Sequence, residues 1–469
     1  MTPSKDENSK PGREPLLLRF RSSKRMILCT ITMASFTDTF LYSIVVPVFP
    51  TSLVTRANVH PENVQSWLSI LLAIYGATLL VAAPITGYIL DKCSSRRIPF
   101  LTGLITLIGG TAMICVGNST GLLIAGRVVS GASAAIVWTA SAAMIIANIQ
   151  EAEVGKALGL AALALNMGGM AGPILGGIVY DHGGYYAVYG MAFGVLMVDV
   201  ILRIIMIEKT DAAKWIKKET SEKPTESTIN TDSIVVDQPP SNADIQPQRA
   251  WKRRLPLMIQ LLASYRIFIA IVGSFVTALL LAAFETVLPL FVETNFHFTA
   301  TGAGLIFIPL ILPSLFDPLF GHWCDKHPRA GRFIAAAGFL CAMPPLVLLR
   351  LVKGGDTGQV VLLCGLLAII GLCIAMTAPP LMIEINQGIA AFEQKHPGVF
   401  GSRGAVGQGY ALFICAFAAG TLLGPLLAGS LKEKSNWGTM GWVLGLFSGV
   451  TAIPIGLWLN GWIGSVKRE

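Results

Sequence analysis

Apolar stretches of about 20 residues recur from one end of this chain to the other, and nothing else in the sequence constrains its fold as strongly. At 1.5 Å per residue such a run, if helical, crosses the ~30 Å hydrocarbon core of a bilayer. Inside hydrocarbon each backbone N–H and C=O must bond within the protein, so repeated runs of this length mean membrane helices. Twelve are expected, at roughly 26–54, 67–90, 98–117, 121–147, 157–180, 185–208, 266–292, 301–323, 333–352, 358–385, 405–431 and 437–462. Too little polar sequence remains to wrap them as soluble cores. Of 469 residues only 13% are charged and 53% are hydrophobic, against about 25% charged in a soluble domain. The fold class expected is an all-α membrane protein.

A formal charge of +8 can signal nucleic acid, but its distribution excludes that partner. Arg56, Lys353, Lys432 and Lys434 fall on the loops of one side, with Arg350 at the span end beside Lys353, and Arg127 and Arg203 fall deeper inside spans. All other Lys and Arg lie on the opposite side with both termini, which the positive-inside rule assigns to the cytosol. The basic run Arg19, Arg21, Lys24, Arg25 then faces the anionic leaflet or simply sets topology. No cleavable signal peptide is expected, because the polar first 25 residues lead into a full-length span. The 8 cysteines show no metal or disulfide spacing.

From Lys209 to Pro256 the hydrophobicity collapses into a Ser/Thr/Pro/Glu/Lys-rich segment that cannot bury enough apolar surface to order itself. The expected organisation is a cytosolic tail over 1–25, a six-helix bundle over 26–208, a flexible linker over 209–265, a second bundle over 266–462 and a tail over 463–469. The halves look like copies. GYILDK at Gly87 to Lys92 is echoed by GHWCDK at Gly321 to Lys326, and VVPVF at Val45 by VLPLF at Val287. Gly168-x3-Gly172-Pro173-x2-Gly176-Gly177 in span 5 is echoed in span 11 by Gly420-x3-Gly424-Pro425-x2-Ala428-Gly429. Duplicated halves about a central pathway are a transporter architecture, with the binding site near the midplane.

On these motifs the chain resembles the major facilitator superfamily, whose fold is two pseudo-symmetric six-helix bundles making 12 transmembrane helices. Within it the chain is similar to the twelve-span drug:proton antiporters, and more narrowly to the vesicular amine transporter-like group. The Ser94-Ser95-Arg96-Arg97 loop and the long linker resemble fungal members. The resemblance assigns a conformational latch to Gly87, Asp91, Lys92 and Arg96, with Gly321 and Asp325 as the second copy. Gly87 is expected to let spans 2 and 11 approach closely, and Asp91 to pair across the cytosolic face. Gly159, separated from Gly168 by eight residues, completes the motif that in this superfamily marks exporters working by antiport. Glycines four apart leave a groove for a neighbouring helix, and Pro173 should bend its own.

Four polar residues inside spans are the candidate proton and substrate site: Asp38, Glu285, Arg127 and Asn166. Asp38 lies near mid-membrane in span 1 with no basic residue three or four positions away. A carboxylate there can carry a proton, balance a cationic substrate, or do both in turn. In the resemblance Asp38, followed by xxVVPxxP, matches the span 1 aspartate that binds the substrate amine, and Glu285 in E-x-x-LP matches the span 7 glutamate. Arg127 of RVVSG matches an arginine linked to proton transfer; snorkelling to the interface is the competing expectation. The group's span 2 lysine falls at Gly76, its span 10 aspartate at Ala378 and its span 11 aspartate at Ile414. Asp199 and Arg203, four apart in span 6, are expected to pair on one helix face. Pro379 and Pro380 are expected to break span 10 ahead of Glu384.

The function these features imply is a proton-coupled exporter of small organic molecules, such as drugs or secondary metabolites, by alternating access. The proton gradient is the energy source, with no cofactor, no metal and no enzymatic activity, in a monomer embedded in the lipid bilayer. The plasma membrane is expected, with a vacuolar or vesicle membrane as the alternative. No GxxxxGK[ST] phosphate loop is present, against an ATP-driven pump. An uptake symporter remains the rival on the same fold, although RIIMIEKTDAAKW after span 6 lacks the acidic motif of sugar carriers. A non-transporting receptor would have no use for carboxylates inside the membrane.

Overall fold

The computed structural model describes residues 18–92, 97–149, 151–207, 257–327, 329–395 and 406–461, and these are helical with short connections. The first half contains α1 (Leu18–Arg21), α2 (Lys24–Ser43), α3 (Phe49–Thr55), α4 (Val64–Lys92), α5 (Arg97–Cys115), α6 (Thr120–Asn148) and α7 (Glu151–Ile205). The second half begins with α8 (Leu257–Leu262), α9 (Tyr265–Phe296), α10 (Ala300–Leu305), α11 (Ile308–Ile311) and α12 (Asp317–Lys326). It ends with α13 (Ala330–Leu348), α14 (Thr357–Ala375), α15 (Ala378–Lys395), α16 (Val406–Lys434) and α17 (Trp437–Trp458). Most of the segment assigned to the linker lies outside the described residues; its end, α8, is helical, with Leu261 buried.

Among the described residues 10 stretches are long and apolar enough to cross a membrane. One of these, Gly159–Ile205, runs 47 residues and is interrupted at Gly184, whose φ of 74° and ψ of −175° break α7 between spans 5 and 6. Helix α2 is not among the ten, because Thr30, Thr32, Ser35, Thr37, Asp38 and Thr39 dilute its apolar side chains. Its hydroxyls are largely satisfied within the helix. Thr30 donates to Met26 O at 2.9 Å, Ser35 to Ile31 O at 3.1 Å and Thr39 to Ser35 O at 3.0 Å. Neighbouring helices cover it, so this polar span lies inside protein rather than against lipid.

Prolines break two of the spans, whereas Pro84, Pro289, Pro425 and Pro454 lie inside helices. Span 1 breaks between α2 and α3 around Pro47, and span 10 breaks between Ala375 and Ala378, just ahead of Pro379 and Pro380. At that break Ile374 O accepts from both the backbone N–H of Thr377 at 2.9 Å and the Thr377 hydroxyl at 2.7 Å. Pro173, in contrast, sits inside the unbroken first part of α7.

The sequence repeat is also a contact repeat. In α7, a Cβ on Gly168, Gly172 or Gly176 would overlap the α2 backbone at Phe36, Phe40 and Ile44 respectively. In α16, Gly420 and Gly424 press in the same way on α9 at Phe275 and Leu279. Small residues four apart thus let span 5 seat on span 1 and span 11 on span 7. Gly159 does not belong to that groove, since nothing lies within 4 Å of where its Cβ would be. Between the halves, α4 lies along α16 and α7 along α10. Arg21 donates to Ile205 O at 2.6 Å and Arg332 to Gly461 O at 2.7 Å, which gathers the starts of spans 1 and 9 with the ends of spans 6 and 12. The opposite end of the bundle is its distal end.

Candidate transport site

Asp38 sits ~20 Å along α2 at 1.5 Å per residue, and only 1% of it is exposed. Both hydrogen bonds it accepts end on the same oxygen. Trp138 Nε1 of α6 donates to Oδ2 at 2.8 Å and the Tyr75 hydroxyl of α4 donates to it at 3.1 Å. Oδ1 is buried with no partner. One turn on, the Tyr42 ring lies 4.6 Å from that of Tyr75, and the Tyr42 hydroxyl donates to Glu285 Oε2 at 2.9 Å. The two carboxylates therefore lie at the ends of one aromatic bridge, Asp38–Tyr75–Tyr42–Glu285, which passes from the first half of the chain into the second.

Arg127 stands beside this bridge. It is 1% exposed, so it does not snorkel, and its guanidinium lies 5.4 Å from the Tyr42 ring centroid and 5.0 Å from that of Phe49. Its Nε and Nη2 are buried without a hydrogen-bond partner. Two ring faces thus hold a desolvated cation by a contact worth ~2 kcal/mol. Among the described residues no ion pair fixes Asp38 or Glu285 to a cation. A cavity of about 10 Å³, lined by Asp38, Tyr42, Tyr75, Arg127, Ser130 and Tyr189 among others, adjoins the cluster. That is room for about one water. The helices are closed around the carboxylate, and a substrate-sized molecule reaches it only after they part.

Asn166 does not join this cluster. Its amide donates to Asp317 Oδ2 at 2.8 Å, a second contact between the halves, joining span 5 to span 8. Asp317 Oδ1 is buried without a partner. Glu384, beyond the span 10 break, accepts from Arg266 Nε at 2.7 Å within the second half.

Two sequence expectations need correction. The close approach of spans 2 and 11 occurs at Gly76 and not at Gly87. A Cβ at Gly76 would stand 2.5 Å from Leu422 N and 2.7 Å from Thr421 C, whereas one at Gly87 would meet nothing within 4 Å. The position where the vesicular amine group carries lysine is here a backbone-to-backbone contact with no space for a side chain. The second correction concerns Asp199 and Arg203. Both Asp199 oxygens are buried without a hydrogen bond, so Arg203 acts on the carboxylate through its charge alone, and it also reaches Met144 Sδ at 3.3 Å and lies over the Phe100 ring at 4.5 Å. The polarisable groups of neighbouring helices compete for the guanidinium with the carboxylate one turn away. Of the latch, a Cβ on Gly321 would make only ordinary contact with Pro379, at 3.8 Å. The side chains of Asp91, Lys92 and Asp325, and all of Arg96, lie outside the described residues.

The sequence placed Asp38, Glu285 and Arg127 as separate polar residues and missed what connects them. Tyr42 carries a signal, since it lies four residues after Asp38 on the same helix face. Tyr75 and Trp138 carry none in a single sequence, because their partner is tens of residues away. Asp317 was legible as an acid inside the apolar stretch LFDPLF.

Comparison with known proteins agrees with this architecture. Residues 29–394 match the Major Facilitator Superfamily. An uncharacterised MFS-type transporter of Schizosaccharomyces pombe is 34% identical over 90% of this chain and 93% of its own length. The MFS-type transporter ppzB of Metarhizium rileyi is 30% identical over 94% of this chain and 95% of its own. The vesicular acetylcholine transporter of Drosophila melanogaster is 22% identical over 92% of this chain and 71% of its own. Among solved structures, the human organic anion transporter MFSD10 has the same fold, with a TM-score of 0.59 at 16% identity over 92% of this chain and 99% of that one. The chain belongs to the major facilitator superfamily of membrane transporters.

Proposed function

We propose that this transporter is a proton-coupled exporter of small organic molecules, such as drugs or secondary metabolites, in which Asp38 exchanges a proton for cargo as the site alternates between the two sides of the membrane. The observation that carries the reading is the one-sided bonding of Asp38. It is buried in protein, held through one oxygen by neutral donors, left bare at the other and tied to no fixed cation. Such a group gains or loses a proton without breaking an ion pair, and low polarity makes that exchange sensitive to whether water or cargo reaches it. The hydrogen bond from Tyr42 to Glu285 supplies the link between halves, since rocking them apart breaks it. The span 5 glycine motif favours export by antiport. Export through the plasma membrane by a monomer, with both termini in the cytosol, completes the reading.

The test is flux in proteoliposomes containing a trapped pH-sensitive dye, with a panel of fluorescent amphiphilic cations and neutral drug-like dyes as probes. An imposed proton gradient should drive at least one probe against the direction of proton movement, and a protonophore should stop it. Asp38→Asn should abolish the coupled flux. Probe movement in the same direction as the protons would instead make the protein a symporter. Flux indifferent to both the protonophore and Asp38→Asn would reject proton coupling. Loss with Glu285→Gln but not with Asp38→Asn would move the proton site to span 7.

A further inference from the structure

The span 5 motif and its echo in span 11 each continue to an acid that the functional reading leaves unused. Eight residues after Pro173 stands Asp181, and eight after Pro425 stands Glu433. Both acids emerge at the distal end, and each crosses to the opposite half. Asp181 Oδ2 accepts from the backbone N–H of Thr301, at the start of span 8, at 2.8 Å. Glu433 Oε2 accepts from the Ser66 hydroxyl, at the start of span 2, at 2.5 Å. One turn earlier each motif presents a glycine to the same segment. A Cβ on Gly177 would overlap Ala300 and Thr301, and one on Gly429 would overlap Ser69. Beside the Glu433 contact, Gln65 bridges further, donating to Thr286 O at 3.2 Å and accepting from Lys432 at 3.4 Å.

We infer that Asp181 and Glu433 are a repeat-related pair of gating residues, whose hydrogen bonds to Thr301 and Ser66 hold the distal end of the transporter shut. The geometry selects this role over mere surface decoration. The contacts join different halves, they occupy equivalent positions of the two repeats, and each lies directly over a glycine seated on the same partner segment. Opening the distal end requires spans 5 and 8, and spans 2 and 11, to separate, so both bonds break in the same motion. The gate is indifferent to which ion drives the cycle. Both carboxylates are exposed, so each bond biases the balance between closed and open states modestly rather than locking it.

The test uses the full chain with its 8 native cysteines replaced and spin labels at Thr55→Cys and Lys353→Cys. These sites are exposed, distal, on opposite halves and outside the gate. Pulsed electron-electron resonance then reads the distal separation without any need for cargo. Asp181→Ala with Glu433→Ala should raise the open-to-closed ratio about 3- to 10-fold, and each single change should give a comparable part of it. Asp181→Asn with Glu433→Gln keeps both acceptor oxygens and should stay near the parent ratio. An unchanged ratio in the double alanine variant, or a response to only one of the two acids, would overturn the paired gate. So would an Asn/Gln variant shifted as far as the alanine one, because net charge and not the bonds would then be responsible. Size-exclusion profiles matching the parent confirm that the exposed substitutions leave folding intact.

Discussion

Replacing Gly76 by alanine gives a quantitative test of the helix packing between the halves. The added methyl would stand 2.5 Å from Leu422 N, 2.7 Å from Thr421 C and 3.0 Å from Ala418 O, all backbone atoms of α16. Ordinary contact for such atoms begins at roughly 3.5 Å, so the helices must separate locally by about 1 Å. No flexible side chain is available to yield in their place. Overpacking of this kind costs about 1–3 kcal/mol, partly offset by the ~1 kcal/mol that alanine gains over glycine in a helix. Gly87→Ala on the same helix isolates the strain. It carries a similar helical gain, and its methyl meets nothing within 4 Å. The expected result is a Gly87→Ala protein as stable as the parent or slightly more so, with Gly76→Ala less stable than Gly87→Ala by about 1–3 kcal/mol. Thermal unfolding of purified protein, followed by fluorescence-detected size exclusion, orders the three. Equal stability of the two variants would refute the backbone contact between spans 2 and 11. Unimpaired folding of Gly76→Lys would refute the claim that packing excludes the lysine of the vesicular amine group.

Further consequences follow from other contacts. Tyr42→Phe removes the hydroxyl that reaches Glu285 across the halves at 2.9 Å while keeping the ring against Tyr75. Coupled flux should fall several-fold with little change in thermal stability, and an unchanged flux would remove Tyr42 from the bridge. Arg127→Met keeps bulk but loses the cation between the Tyr42 and Phe49 rings. Gradient-driven flux should drop while expression and folding persist, and full flux would reduce Arg127 to a packing residue. Arg266→Ala leaves Glu384, whose side chain is 5% exposed, without the ion pair it makes at 2.7 Å. The loss should be about 2–3 kcal/mol, below that of a fully buried pair because Arg266 is itself partly exposed. Adding Glu384→Gln should recover part of the stability, and a further loss would contradict this reading.

The membrane class, the internal repeat and the polar residues inside spans were all legible in the sequence, because each is a local pattern. Hydrophobic runs report spans directly, and the equivalence of Gly168-x3-Gly172 with Gly420-x3-Gly424 became an equivalence of contacts, on span 1 in one half and on span 7 in the other. What stayed hidden depends on distance in the chain. Nothing in a single sequence tells that Trp138 and Tyr75 meet at one oxygen of Asp38, or that Asn166 faces Asp317. The two misplaced contacts have a common cause as well. Gly87 was read from the loop motif and the Asp199–Arg203 pair from local spacing, yet in each case a neighbouring helix matters: α16 sits at Gly76, and Phe100 and Met144 also contact Arg203. Helix α2 shows the same effect, since its hydroxyls make it a weak membrane segment by composition and only its burial explains how it lies there.

Equilibrium exchange and uphill flux of one transported probe, compared in wild type and Asp38→Asn, separate proton coupling at Asp38 from the alternating movement itself. If Asp38 exchanges a proton for cargo, as proposed, the Asn variant still exchanges probe across proteoliposomes at equal pH but no longer accumulates it against a gradient. Uphill accumulation at the wild-type level by the Asn variant would exclude Asp38 as the coupling group.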